Sequence, residues 1–525
     1  MLAIAVLAAA LATAYPVEEK SIGEIRADLA GGKVTSVELV RAYLARIRAL
    51  DDQGPALHSV IALNGRALAE AEAADAARKA GKPQGLLAGV PVLIKDNIES
   101  NDGAATTAGS LALKDNVTLR DAPVVRRMKA AGAIILGKAN LSEWANIRSS
   151  HSVSGWSAVG GLVKNPYALN RNACGSSSGT GAAIAASLAA GGVGTETDGS
   201  VTCPASLNGL VGLKPTVGLV SRTYVVPISH SQDTPGPMTR TVADAALMLS
   251  AMAGRDPMDT ATADADRHVT DYLAALQGAT LKGKRLGVLR YAAQVQPEAD
   301  ALFEATLKRL QEEGAEIIEI TDFTPDKTLG LDEGLVLYTE LKVDLNAYLA
   351  STPAAVKTRT LADLIAFNAA TSREMALFGQ DEFEAAEKTG GLSDPAYLAA
   401  RARSLKSTGE MGIDALVAKY RVDALVAPSY GPAWFSDVTG SSHGNGKIST
   451  LAAVAGYPNL TVPMGQVRGL PVGFALVGPA WSEARLLALG AAFEAVIKGR
   501  KAPTYATSVE TLPTIAPLLA PLQPR

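Results

Sequence analysis

An α/β fold with a largely buried mixed sheet is what this sequence predicts, and two observations carry the prediction. Short apolar runs recur along the chain, at 90–94, 133–136, 210–213, 285–289, 316–320, 423–427 and 472–477. Segments with helical patterning alternate with many of them, notably 122–131, 181–190, 241–253, 297–313 and 483–497. Uninterrupted apolar runs of this kind read as strands buried on both faces, and strand–helix alternation is the mark of a layered α/β domain.

The composition agrees. Of 525 residues, 48% are hydrophobic and 19% charged, which suits a well-cored globular chain and excludes general disorder. A net charge of -3 offers no basic face for a nucleic-acid partner.

Taken in order, residues 1–15 form an apolar run too short to cross a bilayer. Ala12-Thr-Ala14 ahead of Tyr15-Pro16 resembles the cleavage site of a secretory leader, although the basic start of such a leader is missing. The expectation is an exported protein, periplasmic or secreted, with a cytoplasmic one as the alternative. No other run reaches 18 apolar residues, so the mature chain is expected to be soluble. Ser21-Ile-Gly-Glu24 and Thr35-Ser-Val-Glu38 read as capping boxes. Val40, Leu44, Ile47 and Leu50 follow the second at helical spacing. Residues 330–420 look mainly helical and carry no catalytic motif, which suggests an insertion covering one side of a cleft. The proline-rich tail from 511 reads as an irregular strap. With no internal repeat and no linker, the prediction for 16–525 is one domain.

Three polar positions stand out against this frame. Val90-Pro-Val-Leu-Ile-Lys95 places a lysine at the end of an apolar, β-branched run, where burial would lower its pKa. Gly175-Ser-Ser-Ser-Gly179 runs straight into helix-forming sequence, so it is no linker. It lacks the Lys-Ser/Thr of a phosphate-binding loop. Gly194-Thr-Glu-Thr-Asp-Gly-Ser200 ends in a glycine that permits a tight turn. Such a turn can present the Ser200 hydroxyl while the backbone N–H groups of Thr197, Asp198, Gly199 and Ser200 converge on an oxyanion.

Serine needs a base. The histidines His58, His151, His230, His268 and His443 fall in no triad motif, and His151 and His230 read as polar loop residues. A neutral Lys95 can serve instead, with a serine as relay. Each of the three motifs is weak alone; their order and spacing together are specific. No metal or organic cofactor is called for. Cys174 and Cys203 cannot build a Cys-rich metal site, and their place in a glycine-rich region points to buried free thiols. A single bridge is the alternative in an oxidising compartment.

On these motifs the chain resembles the amidase signature family of serine hydrolases over roughly residues 20–500. The family pattern is a lysine, then a serine in a Gly-Ser-Ser loop, then a nucleophilic serine 24 positions later. That spacing selects Ser176 over its neighbours. The resemblance implies a large twisted mixed sheet covered by helices on both faces. It also implies a triad of Lys95, Ser176 in a non-proline cis peptide, and acylated Ser200. Within the family, bacterial peptide amidases, which release ammonia from C-terminal peptide carboxamides, are most similar. Asn140-Leu-Ser-Glu-Trp-Ala-Asn146, Ser229-His-Ser-Gln-Asp-Thr-Pro-Gly-Pro-Met238 and Leu361-Ala-Asp-Leu-Ile-Ala-Phe-Asn368 support that likeness.

Many members have glycine at the place of Asp198. Its carboxylate is expected either to bond the nearby loop or to repel an anionic substrate terminus. The alternatives in the same family are a broad aliphatic or aryl acylamidase, an amidotransferase subunit, and an inactive fold used for binding. Substrate preference is expected to reside in 330–420 and the loop at 433–447.

Overall fold

The computed structural model describes residues 15–438 and 446–519. The leader-like run up to residue 14, His443 and the centre of the 433–447 loop therefore lie outside the described residues. Numbered along the chain, the main sheet holds β1 (Val60–Leu63), β2 (Pro91–Lys95), β3 (Ile134–Ala139), β4 (Gly191–Glu196), β5 (Val211–Lys214) and β6 (Thr234–Thr239). It continues with β7 (Arg285–Leu289), β8 (Glu316–Ile320), β9 (Ala424–Pro428), β10 (Asn459–Val467) and β11 (Leu470–Val477).

These eleven strands form one mixed sheet in the order β1-β3-β2-β4-β6-β5-β10-β11-β9-β7-β8. Strands β3, β2 and β4 run parallel at one end, and β9, β7 and β8 at the other. An antiparallel centre joins them. All seven apolar runs read from the sequence are strands of this sheet. Helices expected at 122–131, 241–253, 297–313 and 483–497 are present as Pro123–Ala130, Val242–Met252, Pro297–Glu312 and Glu483–Ile497. Both capping boxes form, with Ser21 and Thr35 each accepting from the glutamate three residues on.

Four strands of this sheet escaped the sequence reading: β1, β4, β6 and β10. Strand β4, Gly-Gly-Val-Gly-Thr-Glu, is glycine-rich because a helix lies almost on its backbone. A Cβ on Gly194 would fall 2.7 Å from Ser177 Oγ. Strand β6, Thr-Pro-Gly-Pro-Met-Thr, carries prolines at alternate positions. Their missing N–H groups fall on a single edge, the one that pairs with β5 only at Met238 and Thr239.

The stretch 329–420 is helical, led by the 22-residue helix Leu329–Ala350. Its Leu341, Leu345, Leu349, Leu361, Leu364 and Phe383 pack with Ala108, Leu113, Trp144 and Val226, which belong to loops rather than to the sheet. The tail is less irregular than expected, with short helical turns at Val509–Thr511 and Ala516–Leu519. Among the described residues no helix is long and apolar enough to cross a membrane.

Candidate active site

Lys95 is the last residue of β2, and β4 runs parallel beside it, so both strands end at the same edge of the sheet. In parallel sheets that edge is where functional loops gather. Lys95 is fully buried. Its Nζ donates to Ser176 Oγ at 2.6 Å, to Thr195 Oγ1 at 2.9 Å and to the Thr195 carbonyl at 3.2 Å. Asn97 Nδ2 donates to the same Thr195 hydroxyl at 3.0 Å, fixing its orientation. Burial pulls the Lys95 amine down to about 7, against the opposing charges of Asp233 and Glu196. At neutral pH a large share of this side chain is an uncharged base.

Ser176 follows a cis Gly175–Ser176 peptide, and its carbonyl accepts from the Ser142 N–H at 3.0 Å. The next residue begins to tie this loop to the one after β4. Ser177 Oγ donates to the Thr195 carbonyl and accepts from the Thr195 N–H, both at 3.2 Å. The Ser177 N–H donates to the Ser200 carbonyl, also at 3.2 Å. The two serine loops therefore run side by side. No hydrogen bond joins the Ser176 and Ser200 hydroxyls among the described residues; the backbone contact is what unites them.

That proximity overturns the expectation of free thiols. Cys174 and Cys203 are joined by a disulfide. The loops that carry them bring the two Cα atoms to 6.0 Å, within the span a bridge requires. Breaking it with Cys203→Ala should cost about 3–4 kcal/mol of unfolding free energy, mostly through a freer unfolded chain. Denaturant melts of the wild type with and without reductant should show the same difference.

Ser200 keeps 8% of its surface open to solvent. Before it, Gly199 takes φ 78°, and a Cβ there would lie 2.1 Å from the Tyr430 hydroxyl, so both conformation and space demand glycine. None of the N–H groups of Thr197, Asp198, Gly199 and Ser200 donates to an acceptor among the described residues. The turn is held from outside instead. Glu196 is buried and accepts from the N–H groups of Val201 at 2.8 Å and Thr202 at 2.9 Å. Thr197 Oγ1 donates to Asp233 at 2.6 Å. Asp233 in turn accepts from the N–H groups of Ile228 and Ser229. Gln232 Nε2 donates to the Thr197 carbonyl at 3.3 Å and to Glu333 at 3.0 Å.

The structure thus brings Lys95, Ser176 and the 197–200 turn to one place. Thr195, Asn97, Glu196, Asp233 and Gln232 surround them but were not singled out from sequence. Asp233 and Gln232 lie inside the quoted 229–238 segment, the one signal that could have found them. The 140–146 segment forms a tight turn at Glu143–Asn146, and its Ala145 lines a small cavity with Asn97, Thr195, Thr197 and Asp233.

His230 lies within reach of Glu340 and Asp344, but both ring nitrogens already face these carboxylates, at 3.3 and 2.8 Å. The Asp344 hydrogen bond raises its pKa.

A buried amine of lowered pKa, a hydroxyl hydrogen-bonded to it and a turn whose N–H groups have no acceptor among the described residues are parts that acyl transfer can use. The family model for amidases matches residues 38–487. A probable amidase of Arabidopsis thaliana is 40% identical over 94% of this chain and 93% of its own length. The peptide amidase of Stenotrophomonas maltophilia superposes with a TM-score of 0.88 at 46% identity, covering 93% of this chain and 99% of that one. A peptide amidase complex with the competitive inhibitor chymostatin gives 0.89 at 46% identity, over 93% of this chain and 100% of that one. The chain belongs to the amidase family, and its chemistry is hydrolysis of amide C–N bonds.

Proposed function

We propose that this protein deamidates the C-terminal carboxamide of peptides through an acyl-enzyme on Ser200. The contact that carries the reading is the 2.6 Å hydrogen bond between buried Lys95 and Ser176, beside the Ser200 loop. Neutral Lys95 draws a proton through Ser176 as Ser200 Oγ attacks the amide carbon. The developing oxyanion is met by the free N–H groups of 197–200, where each donor is worth about 2.7–4 kcal/mol. The proton returns through the relay to the departing nitrogen, and ammonia leaves. Water then attacks the ester along the same relay, regenerating Ser200 and releasing the acid.

The peptide-amide preference rests on likeness to the peptide amidase of Stenotrophomonas maltophilia across nearly the whole chain. The leader-like start and the Cys174–Cys203 bridge both favour an exported protein.

Ammonia or amine release from a panel of peptide amides, free peptides, aliphatic amides and anilides tests the substrate. Peptide amides should show the highest kcat/KM. Anilides or simple aliphatic amides ranking tenfold above them would overturn the assignment.

A further inference from the structure

The oxyanion turn carries a carboxylate that the triad does not use. Asp198 sits two residues before the proposed nucleophile and retains some exposure. Its Oδ2 accepts from Thr450 Oγ1 at 2.6 Å, so one of the two expected roles, bonding a nearby loop, occupies half of the group. Its Oδ1 is buried and has no hydrogen-bond partner among the described residues. Gln232 also bridges the Thr197 carbonyl to Glu333, which brings a second carboxylate to the same peptide segment. The proposed oxyanion turn thus has two carboxylates close to it.

We propose that Asp198 and Glu333 act as an electrostatic filter that admits neutral or cationic amides and expels carboxylates, including the enzyme's own acid product. This rests on the reading of Ser200 as nucleophile and of the 197–200 turn as the oxyanion site.

Electrostatics supports the geometry. Glu333 is pushed up to about 8, first by burial and then by the charge of Asp198. Asp198 is raised as well, chiefly by burial. At pH 7 Glu333 is therefore largely protonated. The buried Lys214 acts on Asp198 as the opposing charge.

Hydrolysis turns a neutral amide and water into a carboxylic acid and ammonia. The acid then ionises beside Asp198. A carboxylate held within about 6 Å of another in a partly buried site is disfavoured by roughly tenfold to a hundredfold. Amide and acid thus differ little in shape and greatly in residence, which clears the site after each turnover. Charge elsewhere on the substrate is sorted by the same field: a lysine next to the scissile amide is attracted and a glutamate repelled.

The test uses whichever amide the substrate panel ranks first, paired with its own acid. In the wild type the Ki of the acid should exceed the KM of the amide at least tenfold at pH 7.5. Asp198→Asn keeps the Thr450 contact but removes the charge, and should lower the Ki-to-KM ratio about tenfold; Glu333→Gln should lower it less. A wild-type acid that binds as tightly as its amide overturns the proposal without any variant. So does a ratio within threefold of wild type in both variants. A panel that ranks another amide class above peptide amides defeats the peptide reading alone, because the ratio is then measured on that class.

Discussion

A Ser200→Ala chain should fold normally and lose about four orders of magnitude or more in kcat, because in the proposed mechanism the triad members act as a unit and the residual rate comes from the oxyanion turn and binding alone. Ser200 is only 8% exposed, yet its hydroxyl makes no hydrogen bond among the described residues. Its removal should therefore shift stability by no more than about 1 kcal/mol. A fluorophosphonate probe, which esterifies activated serines, should label the wild type and leave the variant unmarked. Full turnover in the variant would eliminate Ser200 as nucleophile. Labelling that persists would place the reactive oxygen elsewhere, with Ser176 the first alternative to examine.

The second large effect concerns Lys95 and pH. In the proposed mechanism the amine works only when deprotonated, and burial lowers its pKa to about 7. Below that value the ammonium form grows tenfold per pH unit, so kcat/KM should fall with unit slope on the acid side and level off above it. The direction is fixed: a base of depressed pKa gains activity as pH rises through its own value. Lys95→Met should lose about 10³-fold and show no such limb. Lys95→Arg should be no better despite its similar length, because a guanidinium stays protonated throughout. A wild-type profile that is flat between about pH 5.5 and 8 would rule out this base.

The parts of the fold written in apolar, β-branched or capped segments were legible. Val90 to Ile94 announces β2, and Ser21 with Glu24 announces a helix start, because each signal is local in sequence. The missed strands are those whose composition serves a neighbour rather than the strand. Glycine in β4 exists so that the helix Ser178–Ala185, which follows Ser176, can lie close, and proline in β6 is tolerated because of where that strand's unpaired edge falls. Neither reason is visible without the partner element.

The candidate site divides in the same way. Lys95, Ser176 and the 197–200 turn are marked by motif and spacing. Their supports are joined across long separations, with Thr450 reaching Asp198 over 252 residues. Such pairs come together only when the sheet closes. The disulfide belongs to this class as well: two cysteines 29 residues apart say nothing about pairing until the two serine loops are seen lying against each other.

That bridge has a practical corollary for production. Chains synthesised in the reducing cytosol of a common expression host would emerge with both sulfurs as thiols, and the staple between the serine loops would be missing. Counting reactive sulfhydryls under denaturing conditions would grade each batch before any specific activity is compared, and periplasmic targeting or an oxidising strain would be the rational host choice.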